Sequence, residues 1–138
     1  MKLVFDTNAY CLCDVGQERA LELVERAASL FLPSIVYGEL YYGFRHGKQF
    51  ETNLKRLDQF SEEYDVQIIP VDLDVARKFG DIFASLRKKG TPVPTNDVWI
   101  AACCMSVGGT LLTSDHHFKS VEQIQMEFVD GPQKTTGS

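Results

Sequence analysis

Short apolar runs alternate along this chain with stretches whose apolar residues recur every three to four positions, and that alternation leaves few folds open. The runs at Lys2–Phe5, Leu30–Leu32, Val66–Val71, Thr110–Thr113 and Gln125–Val129 read as strands, with Pro70 weakening the end of the third. Runs without polar alternation suit strands covered on both faces, so the sheet is expected to be mainly parallel. Between them, Asp6-Thr7-Asn8 stops the first strand and offers side-chain oxygens to start a helix. Helical periodicity then marks Gln17–Ala28, a segment from Pro33-Ser34 to Gly43 or Gly47 with Ser34 as N-cap, and Phe50 to about Tyr64. Asp72 or Asp74 caps the next helix, which ends in Arg87-Lys88-Lys89-Gly90, cations and then glycine where a helix C-terminus favours them. Thr95 caps the last, Asp97–Val107, closed by Gly108-Gly109. The expectation is one α/β domain over residues 1–130, a mainly parallel central sheet with helices on both faces, followed by a polar, frayed tail at 131–138. No internal repeat or linker interrupts it.

With 138 residues, 44% of them apolar, the chain is long enough for one buried core and too short for two. Its 14 basic and 19 acidic side chains, a net charge of −5, argue against a protein that holds nucleic acid by bulk positive charge. Its apolar runs fall far short of the roughly 20 residues that span a bilayer, and the opening MKLVFDTN lacks a secretory signal's pattern, so a soluble cytoplasmic protein is expected. Cys11, Cys13, Cys103 and Cys104 lie in C-x-C and C-C pairs that match neither a disulfide scaffold nor the usual zinc spacing, and are expected to be buried, reduced thiols.

Four acids interrupt apolar surroundings. Asp6 and Asp115 follow strands, Asp97 opens a helix within Pro94-Thr95-Asn96-Asp97-Val98-Trp99-Ile100, and Glu39 breaks an apolar and aromatic helix beside Gly38, which leaves room for close approach. Each has an ordinary reading by itself: a helix cap, a first-turn acid, a turn residue, a half-exposed helix residue. Together, in an open parallel sheet whose strand ends gather ligands, they point to a shared site. Crowded buried carboxylates are unfavourable unless protonated, paired or bound to cations, and no lysine or arginine adjoins any of the four. A divalent cation resolves the conflict; oxygen donors favour Mg²⁺ or Mn²⁺ over zinc, and such centres act on phosphate esters. Thr7, Asn8, Asn96, Thr113 and Ser114 are natural hydrogen-bond partners of these acids. Leaving the four acids aside brings the remaining charge close to balance.

Arg45, His46, Lys48, Lys55, Arg56 and the group Arg87-Lys88-Lys89 are candidate phosphate contacts, or simply solvated helix faces. Tyr37, Tyr41 and Phe44 share a helix face with Tyr42 beside it, a stripe that suits the core but also a partner groove. His116 and His117 rank below the carboxylates as acid-base groups, because water activated by a metal needs no histidine.

The segments Phe5-Asp6-Thr7-Asn8, Ser34-Ile35-Val36-Tyr37-Gly38-Glu39-Leu40-Tyr41-Tyr42-Gly43, Pro94-Thr95-Asn96-Asp97-Val98-Trp99-Ile100-Ala101-Ala102 and Leu112-Thr113-Ser114-Asp115-His116-His117-Phe118 together resemble the PIN-domain ribonucleases, in particular VapC-type toxins of toxin-antitoxin pairs. The resemblance spans nearly the whole chain. It implies a Mg²⁺- or Mn²⁺-dependent endoribonuclease acting on RNA, a homodimer, and a cognate antitoxin whose C-terminal segment covers the groove and site. Asp6, Glu39, Asp97 and Asp115 fall on the family's four acidic positions; by analogy Asp6, Asp97 and Asp115 bind metal, and Glu39 holds a water on the ion or a second ion. Two readings compete. A phospho-receiver-like signalling module predicts a mid-chain phosphorylatable aspartate with a facing lysine, and an acidic-site phosphatase of the haloacid-dehalogenase type wants an aspartate two positions after Asp6, where Asn8 stands.

Overall fold

The computed structural model describes residues 1–132. The elements run β1 (Lys2–Phe5), α1 (Thr7–Asp14), α2 (Glu18–Arg26), β2 (Ser29–Pro33), α3 (Ser34–His46), α4 (Phe50–Glu63), β3 (Gln67–Ile69), α5 (Leu73–Lys89), α6 (Thr95–Val107), β4 (Thr110–Thr113), a 3₁₀ helix (His116–Ser120) and β5 (Gln125–Phe128). All five strands are parallel, in the order β3-β2-β1-β4-β5. β1 is central, and its Leu3, Val4 and Phe5 are fully buried because sheet neighbours and helices enclose them on every side. The chain builds outward from β1 through β2 to β3, then returns to place β4 on the other flank of β1, with Phe5 in register with Leu112. Strand order therefore reverses between β1 and β4, the place where open parallel sheets leave a crevice at the strands' carboxyl ends.

Packing follows from the sequence pattern. Phe60 of α4 meets Phe5 edge-on at 5.8 Å and Tyr10 at 5.4 Å, which seats α4 over the first strand and helix. α5 and α6 join through Phe79 stacked on Trp99, ring centroids 3.9 Å apart. α6 buries Val98 and every residue from Ile100 to Cys104, as its nearly unbroken apolar sequence requires. It ends on Gly108 in the left-handed region, φ +64°. Gly109 then lets β4 start against β1: a Cβ there would lie 2.7 Å from Val4 Cγ2 and 3.2 Å from the Lys2 carbonyl oxygen.

Several local expectations change. The third strand is shorter than Val66–Val71, as Pro70 has no N–H for the ladder. Ser34 and Thr95 are first helical residues rather than caps; Pro33 and Pro94, with extended ψ near 141°, hold the cap positions without a side-chain bond. Asp72 does cap α5, accepting the Val75 N–H at 2.9 Å. Of the cysteines, Cys13, Cys103 and Cys104 are buried free thiols, but Cys11 is exposed on the outer face of α1. The aromatic stripe of α3 divides between core and surface: Tyr37 and Phe44 are half-buried against the core beside the buried Val36 and Leu40, while Tyr41, stacked on Tyr37 at 6.3 Å, and Tyr42 are exposed. Among the described residues no helix is long and apolar enough to cross a membrane. Beyond Gly131 and Pro132, the expected tail falls on residues 133–138, outside the described residues.

Candidate metal centre

Asp6 is the first residue past β1, and burial there dominates its chemistry. It is 4% exposed, yet both carboxylate oxygens are used: Oδ1 accepts the Ala9 N–H at 2.8 Å, capping α1, and Oδ2 accepts the Thr113 hydroxyl. These bonds favour the ionised form, but burial outweighs them, and the carboxylates of Asp115 and Glu39 add to it, so the Asp6 pKa is pushed up to about 6.

On the neighbouring strand the chain repeats the device. Asp115 follows β4 by two residues and caps the 3₁₀ helix, Oδ1 accepting the His117 N–H at 2.9 Å. Its own N–H donates to Thr113 Oγ1 at 2.9 Å. Because β1 and β4 are adjacent and parallel, two acids separated by most of the chain stand at the same end of the sheet.

Helices bring the other two. Asp97 lies in the first turn of α6, half-buried, and is pushed up to about 6 by burial first, then by Asp115, Glu39 and Asp6, with His117 acting in the opposite direction. Glu39, on α3, is held by the Thr7 hydroxyl, which donates to Oε1 at 3.1 Å. An open cleft of ≈ 570 Å³ adjoins it, with Thr7, Ser34, Gly38, Tyr42 and Asn96 on its walls. The four acids thus act on one another electrostatically, and Thr7 and Thr113 bond to them. Asn8 and Asn96 are exposed, and Ser114 packs toward Gly131; among the described residues these three make no hydrogen bond to the acids.

One participant outranks its place in the sequence reading. Carboxylate oxygens of Asp97 and Asp115 and a ring nitrogen of His117 all lie within 4.8 Å of one another, an arrangement able to hold a metal ion. His117 Nδ1 is 3.0 Å from Asp115 Oδ1. His116, its neighbour, instead stacks on Phe128 at 5.1 Å. The sequence signal for this difference is slight: a residue two past a capping acid returns toward it.

Of the basic candidates, Arg56 pairs with Asp14 at 2.9 Å and Lys89 with Glu122 at 3.1 Å, so these two are occupied. Arg45, its guanidinium 5.1 Å from the Phe50 ring centroid, is exposed, as are His46, Lys48, Lys55, Arg87 and Lys88.

Residues 3–124 match the family model of the PIN domain. The chain belongs to the PIN-domain family. Within it, this PIN domain is 30% identical over 132 residues to Ribonuclease VapC2 of Haemophilus influenzae, covering 92% of this chain and 97% of that one. It is also 30% identical over 108 residues to Ribonuclease VapC2 of Rickettsia felis, covering 78% and 79%. Among solved structures it resembles VapBC2 from Rickettsia felis bound to a DNA fragment from its promoter, with a TM-score of 0.79 at 26% identity over 93% of this chain and 98% of the other. The single α/β domain with its parallel sheet is that of this PIN-domain group, and the match favours neither the receiver nor the phosphatase reading. PIN-domain nucleases depend on metal, and this chain carries the acidic cluster such dependence requires.

Proposed function

We propose that this chain is a VapC-type toxin, a Mg²⁺- or Mn²⁺-dependent endoribonuclease that hydrolyses RNA phosphodiester bonds and is restrained by a cognate antitoxin. What supports the reading is that the carboxylates of Asp97 and Asp115 come close enough to share an ion near the β1/β4 reversal, with Asp6 and Glu39 near enough to act on Asp97 electrostatically. Relatives named Ribonuclease VapC and solved VapBC assemblies supply the substrate class and the kind of partner.

In this reading Asp97, Asp115 and Asp6 would hold the ion. Glu39, aimed by Thr7, places a water or a second ion. A bound divalent ion would offset the charge of the scissile phosphate and acidify the attacking water. Arg45, His46, Lys48 and Lys55 offer phosphate contacts that compensate the acidic centre. By the same likeness the chain works in the cytoplasm as a homodimer, with the antitoxin's C-terminal segment over the groove.

The test is incubation of the purified chain with total RNA, with Mg²⁺, with Mn²⁺ and with chelator, followed by sequencing of the new ends. Discrete metal-dependent cuts, absent from Asp97→Asn, are expected. Cleavage that persists in chelator or in Asp97→Asn refutes the reading.

A further inference from the structure

Resting on the carboxylate centre proposed above, we infer that His117 is a nitrogen ligand of that centre and makes it favour Mn²⁺ over Mg²⁺. Ligand atoms on opposite sides of a small divalent ion stand about 4–4.5 Å apart. The oxygens of Asp97 and Asp115 and the ring nitrogen of His117 already lie within 4.8 Å of one another, so small side-chain rotations bring all three onto one ion.

The backbone explains why this histidine and not its neighbour takes the place. Asp115 caps the 3₁₀ helix through the His117 N–H, and fully buried Phe118 anchors the next position, which turns the His117 ring back over Asp115. His116 is on the other side of the turn, flat against Phe128 with an interplanar angle of 11°. The His117 side chain is largely exposed, so burial does not dictate where it sits; its bonded partner is the acid pair's own Asp115.

The chemical consequence lies in metal choice. Mg²⁺ takes oxygen ligands in strict octahedral geometry and gives up water reluctantly, whereas Mn²⁺, which also suits carboxylate oxygen, is the first member of the divalent transition series that binds mixed nitrogen and oxygen sites and so tolerates one imidazole among carboxylates better than Mg²⁺ does. One imidazole added to the carboxylates makes a mixed oxygen and nitrogen set, and such a set discriminates against Mg²⁺.

The experiment uses the full chain stripped of metal, titrated with MnCl₂ and separately with MgCl₂ by calorimetry, and examined with Mn²⁺ by pulsed electron paramagnetic resonance for coupling to ¹⁴N. Wild type and His116→Ala should show the nitrogen coupling and bind Mn²⁺ more tightly than Mg²⁺. His117→Ala and His117→Gln should lose the coupling and weaken Mn²⁺ by about tenfold or more, as disruption of a metal's ligand shell does, with Mg²⁺ affinity little changed. Mn²⁺ bound to wild type without nitrogen coupling, or unchanged Mn²⁺ affinity in both His117 variants, overturns the ligand role while leaving the carboxylate centre standing. Failure of wild type to bind either ion overturns the centre as well.

Discussion

Thr113 donates its hydroxyl hydrogen to Oδ2 of Asp6 at 2.5 Å, joining residues 107 positions apart at the floor of the crevice. The same hydroxyl oxygen accepts the N–H of Asp115, so one fully buried threonine sets the spacing of two acids. Thr113→Val keeps the shape but leaves a buried carboxyl oxygen and a backbone N–H without partners, and should cost about 1–3 kcal/mol. Thr113→Ser keeps both bonds and should cost less. Urea denaturation of the two variants distinguishes them; equal stability of Thr113→Val and wild type would contradict the assigned role.

The metal-free protein should lose stability as pH rises across the range where Asp6 ionises. Its pKa stands at about 6 in the fold against 3.8 for the ordinary carboxyl, chiefly through burial. The folded state therefore holds the proton more tightly; the resulting stabilisation is complete below the unfolded value and disappears as pH climbs through the folded one. For Asp6 this amounts to about 3 kcal/mol, and the half-exposed Asp97 adds a smaller, solvent-screened amount in the same direction. Melting in chelator between about pH 4 and pH 7 should thus show wild type losing ground to Asp6→Asn. A constant difference between them would sink the claim.

Added Mg²⁺ or Mn²⁺ should reverse that loss at neutral pH, since an ion that binds only the folded chain stabilises it by about 2.7 kcal/mol at a hundredfold excess over its Kd. Asp6→Asn and Asp97→Asn should each diminish the rise in Tm. The response should also fade below pH 6, where the ligands must first give up protons. A rise of the same size in wild type and both variants would show that the ion binds elsewhere.

Two glycines should respond in opposite senses to alanine. At Gly109 the added methyl meets Val4 Cγ2 and the Lys2 carbonyl, and the strain of forcing β1 and β4 apart should cost about 1–3 kcal/mol. At Gly38, mid-helix and open to the cleft, nothing lies within 4 Å, and alanine should stabilise by about 0.5–1 kcal/mol. Thermal melts of the two variants read the contrast directly.

Much of this molecule is legible residue by residue, because periodicity and end signals are local. Continuous apolar runs mark β1, β2 and β4, an alternating one marks β5, Asp6 and Asp72 announce their caps, and Gly108 ends α6 where a left-handed residue is needed. The short-range errors have equally local causes: Pro33 and Pro94 displace Ser34 and Thr95 from the cap positions, and spacing alone does not tell the half-buried Tyr37 and Phe44 of α3 from the exposed Tyr41 on the same stripe.

By itself the sequence determined that strands and helices alternate through most of the chain, that the sheet is mainly parallel, and that Asp6, Glu39, Asp97 and Asp115 stand out of place among apolar neighbours. Only the tertiary structure decided that β4 lies beside β1, which brings Asp6 and Asp115 to one crevice, and that His117 turns to the acids while His116 stacks on Phe128. Local pattern encodes what each segment buries; which segments share a boundary depends on packing across the whole chain, and charge accumulates at a site only once that packing is complete.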